Sequence, residues 1–470
     1  MSVFRFMFVI CAVLRIAFAG PAQDVSIASD AEIREILADR IDSQRKDLGI
    51  VVGVIEPGGR RRVVGYGTFE KGDKRPVNGD TLFELGTVTE VFTALLLGDM
   101  AQRHEVALTD PVAKYLPGNV KVPERGRPIS LEDLATHTSG LPKNPDNLTL
   151  KNSGNPYQDY TTKDLYQFLS SYALQRDAGS QWSYSNLGFG LLGHALSLRA
   201  HLGYDALVRT RITEPLGMKS TAITPSAEMK TRVARGHNLK LEAVSDWDFQ
   251  VLAGAGGLWS TANDLLSFLG ANLGYVKSPL GPAMAALLTV RRPTTQDGLD
   301  NALGWQVSAV NGIEIIQKHG ATFGFNTFMG YDRQSRAGVV VLSNTLSTSG
   351  IGDIGLHLLN PSIPLRGAEQ KEVKVDPKVF DRYTGLYQLS STVSLTIIRQ
   401  GDHLFAQNTG QPKQEVFPQS ERNFFYKGFD AQLSFELNTA GRSEAVLIYY
   451  NGISKRAKRI EAGGPPPPAK

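Results

Sequence analysis

Strand-forming runs stand at the two ends of one long segment with a helical stretch between them, and this most constrains the fold. Ile50-Val51-Val52-Gly53-Val54-Ile55 and Arg62-Val63-Val64-Gly65-Tyr66-Gly67 read as two strands joined by the turn Pro57-Gly58-Gly59. Strand signals return at residues 304–310, 313–317, 327–331 and 338–342. Residues 95 to 250 between them read as mostly helical with long loops. A sheet drawn from both ends has to be closed by distant segments, which leaves the helical middle as a subdomain beside it. The expected class is mixed α/β (α+β).

Two helices frame the start. Residues 30–46 carry apolar side chains at Ile33, Ile36, Leu37 and Ile41, the spacing of an amphipathic helix. Residues 91–97 are apolar on nearly every face, as a helix buried in a large core must be. Beyond residue 360 the pattern changes. Pro361-Ser362-Ile363-Pro364 opens a polar, Pro-punctuated stretch through residue 376 that reads as a linker. From there Val393, Leu395 and Ile397 alternate with polar partners, and short runs such as Phe424-Phe425-Tyr426 follow between Gly, Asn and Asp turns. Five to eight strands in about ninety residues predict a small barrel or sandwich. The expected division is a first domain over 20–365, a linker over 366–376, an all-β domain over 377–459 and a disordered Pro-rich tail over 460–470.

The N-terminus reads as an export signal. Arg5 precedes an apolar run over residues 6–14, and Ala17-Phe18-Ala19 fits cleavage after Ala19. The run is too short for a stable membrane span, so a periplasmic or secreted product is expected. Cys11, the single cysteine, lies inside this segment, which leaves the mature chain without thiol or disulfide chemistry. A net charge of +4 with scattered Lys and Arg argues against a nucleic-acid partner. No His pair at i,i+4 and no carboxylate cluster at ligand spacing is present, so neither metal nor cofactor is expected.

Three segments carry candidate chemistry. The first is Phe83-Glu84-Leu85-Gly86-Thr87-Val88-Thr89-Glu90, leading into the apolar helix. The second is Trp182-Ser183-Tyr184-Ser185-Asn186. The third is Lys318-His319-Gly320-Ala321-Thr322-Phe323-Gly324-Phe325-Asn326. In this order, with flanks such as Leu134-Ala135-Thr136-His137-Thr138-Ser139-Gly140-Leu141-Pro142 and Glu214-Pro215-Leu216-Gly217-Met218, they resemble the three motifs of penicillin-binding proteins and class C β-lactamases. The resemblance covers roughly residues 30–350, and residues 377–459 are similar to the lipocalin-like β domain that follows such domains. A surface Ser43-Gln44-Arg45-Lys46 also has Ser-x-x-Lys form, but it has no apolar helix behind it.

The resemblance implies a β-lactamase/transpeptidase-like fold and acyl transfer to a hydroxyl, with a β-lactam, D-alanyl peptide (peptidoglycan-derived) or small ester as substrate. It implies roles for Thr87, Glu90, Tyr184 and Lys318 in catalysis, and for Asn186, His319, Gly320 and Ala321 in substrate binding. The Thr87 and Ala321 N–H groups would hold the oxyanion, and the bare Gly320 would let a ligand lie along the strand. The first motif departs from the family's Ser-x-x-Lys, where one helical turn brings the lysine amine beside the serine. Thr87 keeps a hydroxyl with an added methyl, and Glu90 replaces a cation by an anion. Lys318 is expected to pair with Glu90 and lower its pKa, making it a poor base. His319 has a ligand-contacting and a packing reading, and His137 reads as a structural loop residue. Two functions stay open: a retained hydrolase, and an inactive descendant that binds cell-wall fragments or a partner. Oligomeric state is left open.

Overall fold

The computed structural model describes residues 27–148, 154–296, 298–310, 312–347, 350–366, 372–389, 393–409, 411, 413–427, 431–450 and 453–460. The expected export signal and the residues of the Pro-rich tail after Ile460 lie outside this set. Among the described residues no helix is long and apolar enough to cross a membrane, and no group of His, Cys, Asp or Glu side chains is arranged to hold a metal ion.

The first domain is built on an eight-stranded antiparallel sheet. Its order runs Arg61–Gly67, Gly49–Ile55, Ala337–Ser343, Asn326–Asp332, Ile313–Ala321, Gln306–Val310, Leu299–Asn301, Arg292–Pro293. The N-terminal hairpin pairs with Ala337–Ser343, so distant segments close the sheet as the strand pattern requires. Successive side chains point to opposite faces. Ile316, Met329, Val340 and Leu342 enter a large core with the helical subdomain, whereas Ile315, Phe328, Val339 and Val341 enter a second core under helices Asp30–Ala38 and Gly352–Leu359. Both faces are covered.

Helix Thr89–Gln102 is buried along nearly its whole length, which explains its lack of an amphipathic stripe. Two sequence expectations shift. The first helix is regular only over Asp30–Ala38, held by a Ser29/Glu32 capping box, and ends in a π turn at Asp39–Ser43, so Ser43 and Lys46 do not share a helical turn. The strand expected to end at Gln317 continues to Ala321, because its last four residues keep pairing with Asn326–Met329.

The second domain is a closed barrel of eight antiparallel strands from Gly385–Gln388 to Ile453–Ile460. Tyr383, Tyr387, Phe424 and Phe435 fill its interior, with the Tyr383 and Phe435 rings stacked at 4.3 Å. Its last strand reaches Ile460, so that residue belongs to the barrel rather than to the tail. Residues 361–366 differ from the expected linker as well. Ile363 is buried in the second core, and the Arg366 N–H donates to Asp353 Oδ2 at 2.7 Å. Proline punctuation marks a turn there, and the apolar Ile363 anchors it.

Candidate active site

The site forms where the start of helix Thr89–Gln102 meets the end of strand Ile313–Ala321. A 3₁₀ turn, Gly86–Val88, feeds the helix and presses on the strand. Gly86 has φ +50°, and a Cβ there would come within 2.8 Å of the Ala321 nitrogen, so the close approach requires glycine. A Cβ on Gly320 would collide with the Leu85 carbonyl oxygen. The bare strand at Gly320 therefore admits the protein's own turn on its Cβ side, while Gly320 also lines the cavity beside Thr87 and Ala321.

The half-buried Thr87 hydroxyl donates to the His319 carbonyl oxygen at 2.9 Å. One turn on, Glu90 is completely buried. Its Oε2 forms an ion pair with Lys318 Nζ and lies 3.3 Å from His137 Nε2. The Tyr184 hydroxyl, adjoining Thr87, is shared between Glu90 Oε1 at 3.2 Å and Asn186 Oδ1 at 2.6 Å. All three sequence segments thus converge, and all four residues expected in catalysis stand together.

Charge follows from these contacts. Burial alone would raise the Glu90 pKa, but Lys318 and His137 outweigh it and hold the carboxyl below its usual range. Burial pushes the His137 pKa down more than Glu90 draws it up, so the imidazole is neutral near pH 7. The Ser185 N–H donates to His137 Nδ1 at 3.1 Å, which assigns the ring proton to Nε2, facing the carboxylate. Burial first and Glu90 second raise Tyr184 well above its ordinary value, so the phenol stays protonated. The cluster is one anion, one cation and two neutral donors. It carries no strong base, and its weak acceptor is Glu90, reached through Tyr184.

The binding residues are more constrained than their motif suggested. Asn186 uses Oδ1 on Tyr184, while its Nδ2 donates to Asn144 Oδ1 at 3.2 Å and Tyr157 Oη at 3.1 Å. The His319 ring lines a cavity and is open to water within it, yet protein encircles it. Its Nε2 lies 3.1 Å from Gln317 Oε1, its ring meets that of Phe328 edge-to-face at 5.1 Å, and desolvation together with the nearby Arg366 and Lys318 charges holds its pKa below the ordinary value. Ala321 lines the same cavity.

His137 is the residue sequence reasoning misplaced. It holds a loop at φ +58°, but its ring faces Glu90 and packs 4.7 Å from Tyr184, centroid to centroid. Asn144 and Tyr157 were also missed. They come from the long loops whose sequence has no periodicity, and only contact with Asn186 reveals them.

Residues 33–359 match the family model described as Beta-lactamase, and residues 369–459 match a domain of unknown function, DUF3471. The chain is 31% identical to the D-alanyl-D-alanine-carboxypeptidase/endopeptidase AmpH of Escherichia coli K12, covering 72% of this chain and 92% of that protein. It is 26% identical to penicillin-binding protein 4* of Bacillus subtilis, covering 84% and 91%. Among solved structures, a class C β-lactamase from Rhodobacter sphaeroides superposes with a TM-score of 0.58 at 28% identity, over 67% of this chain and 93% of that one. A β-lactamase/D-alanine carboxypeptidase from Yersinia pestis gives 0.61 at 27%, over 71% and 98%.

Proposed function

Since the chain belongs to the beta-lactamase family of hydrolases, we propose that it is an exported hydrolase of D-alanyl peptides, β-lactams or small esters that works through an acyl-enzyme on Thr87. Export is read from Arg5, the apolar run after it and Ala17-Phe18-Ala19. The substrate class follows the relatives, named as a carboxypeptidase/endopeptidase, a penicillin-binding protein and β-lactamases. The observation that carries the reading is the convergence of Thr87, Tyr184, Glu90 and Lys318, with the Tyr184 hydroxyl beside Thr87 donating to Glu90 Oε1 at 3.2 Å.

Thr87 Oγ1 attacks the substrate carbonyl carbon. Its proton passes to Tyr184 Oη as the phenol's proton passes to Glu90 Oε1, so no free phenolate forms. The N–H groups of Thr87 and Ala321 receive the negative charge on the carbonyl oxygen. The same path returns the proton to the leaving group, and water then hydrolyses the ester by the reverse relay. Because Lys318 keeps Glu90 a weak base, turnover is slow.

A second reading, ligand capture without turnover, is favoured by one contact: the Thr87 hydroxyl donates to a backbone carbonyl instead of to a base. Turnover of nitrocefin or a p-nitrophenyl ester, beside a fluorescent-penicillin gel, separates the two. The hydrolase predicts covalent label that Thr87→Ala abolishes and turnover that Glu90→Gln lowers by about 100-fold. Reversible penicillin binding with neither label nor turnover would sink the enzyme reading.

A further inference from the structure

A cavity of about 630 Å³ runs from Thr87 along the face of strand Ile313–Ala321 that bears Gln317, His319 and Ala321, and the C-terminal barrel closes part of it with Leu447 and Arg456. The barrel face that does so is built for contact. Leu433, Phe435, Val446 and Ala457 point into the barrel core, so their neighbours Ser434, Leu447 and Arg456, aligned across three strands, point outward. Outward barrel positions ordinarily meet water. Here Gln432, Ser434, Glu436 and Leu447 are buried. Gln432 Nε2 donates to the Leu365 carbonyl at 3.1 Å, Ser434 Oγ donates to that of Ser362 at 3.4 Å, and Leu447 joins the second core of the first domain. Glu436 grips Arg456 at both Nε and Nη2, 2.8 and 2.6 Å away, which fixes the guanidinium plane at the cavity wall.

The lining has a definite chemistry. Its ionic side chains are Arg366, Arg456 and Asp353, and Asp353 is paired with Arg40 at 2.6 Å. Arg456, held by Glu436 Oε2, also has Glu444 Oε1 3.9 Å from Nη2, so Nη1 is the edge it offers a ligand. Gln306, with Gln317 and Ser308 joined to each other at 3.0 Å and Ser347 donating to the Gly350 carbonyl at 3.4 Å, lines it with amides and hydroxyls that can both donate and accept, as peptide bonds do. A cavity starting at the nucleophile, lined by amide-matching groups and bordered by a fixed guanidinium, suits a peptide with an additional carboxylate. We infer that the barrel completes the substrate cleft and that Arg456 is a specificity-determining residue taking a carboxylate of a peptidic ligand. This inference rests on the hydrolase-family reading of Thr87 and deepens its substrate class.

The test uses the full chain and isothermal titration calorimetry. The probes are two acetylated D-alanyl peptides that differ in one residue, D-glutamate against D-glutamine. The native protein should bind the carboxylate form about tenfold more tightly. Arg456→Gln should bring the two affinities within about twofold, and Arg456→Lys should retain part of the preference, a charge without the bidentate fork. Arg456→Gln leaves the Glu436 carboxylate unpaired, so the Arg456→Gln/Glu436→Gln pair is measured beside it with melting curves. It too should lose the preference while staying folded. Equal affinity of the native protein for both peptides, or a preference surviving both Gln variants, overturns the inference. Binding of neither peptide by a protein that still takes fluorescent penicillin overturns it and leaves the family reading standing. Binding of nothing at all overturns both.

Discussion

Glu84 and Glu90 stand three residues before and three residues after Thr87, both buried, and the protein treats them oppositely. Glu84 accepts the Trp247 N–H at 2.6 Å and has Thr322 and the acidic Asp246 nearby. Burial dominates, and its pKa is pushed up to about 8. Glu90 is more deeply buried, yet Lys318 and His137 hold it below the usual range. Burial makes a carboxyl neutral unless opposing contacts intervene, and here the Lys318 ammonium, with His137 beside it, decides the matter. One carboxyl is held protonated by burial and accepts from the Trp247 N–H; its neighbour along the chain is an anion beside a hydroxyl. Lys318→Ala should convert the second into a copy of the first. The stranded carboxylate should cost about 3–5 kcal/mol, which in a domain of this size lowers the melting temperature by roughly 10 °C. Glu90→Gln should cost less, because it removes the charge and keeps the shape. Equal melting temperatures for both variants and the native protein would show that the ion pair does not hold the site together.

The comparison sharpens when the Glu90 charge is reversed. Glu90→Lys alone puts a second ammonium beside Lys318 with no anion between them, and Thr87→Ser alone relieves the methyl while the proton acceptor stays weak. Together they recreate the family's Ser-x-x-Lys turn, in which nucleophile and base act as a unit. The double variant should raise kcat/KM for nitrocefin or a p-nitrophenyl ester about 100-fold over the native chain, and neither single change should exceed about tenfold. A double variant no faster than the native chain would show that something besides Glu90 restrains the site. Asn186, tied to Asn144 and Tyr157, would then be the first suspect.

Much of this arrangement could be read from the residues, and the limits are physical. Hydrophobic alternation exposed the sheet strands and the barrel, since period-two patterns report a buried face directly. Because a fixed spacing leaves a local trace, ordered short motifs brought out Thr87, Glu90, Tyr184 and Lys318, which the fold then places together. His137 left none: its role depends on a loop folding back until the ring meets Glu90, a contact spanning 47 residues of chain. Gly320 was legible only in part for a related reason. Absence of a side chain reports a close approach without saying whether ligand or backbone makes it, and here it is Leu85. Pro361 and Pro364 suggested a linker, but punctuation cannot show that Ile363 is buried between them.

The smallest expected effect tests the other half of the comparison. The folded-state pKa of Glu84, about 8, lies above the ordinary carboxyl value of 4.5. The fold therefore prefers the protonated form, and its stabilising contribution is complete below about pH 4.5 and lost as pH rises through 8. Between pH 6 and 8 this group should remove about 2 kcal/mol of stability. Glu90 should add no such slope in that window, since Lys318 keeps it ionised throughout. Glu84→Gln retains a donor and an acceptor for Trp247 and Thr322 but cannot ionise, so its melting temperature should fall less than the native protein's from pH 6 to pH 8. The readout is the difference between the two pH profiles, because other groups titrate equally in both proteins. Parallel profiles would mean that Glu84 already carries its charge in the folded protein, and the contrast with Glu90 would then vanish. A Glu84→Gln profile that is flatter while ester turnover at pH 6 stays unchanged would assign Glu84 to holding the Trp247 loop and leave the chemistry to Glu90.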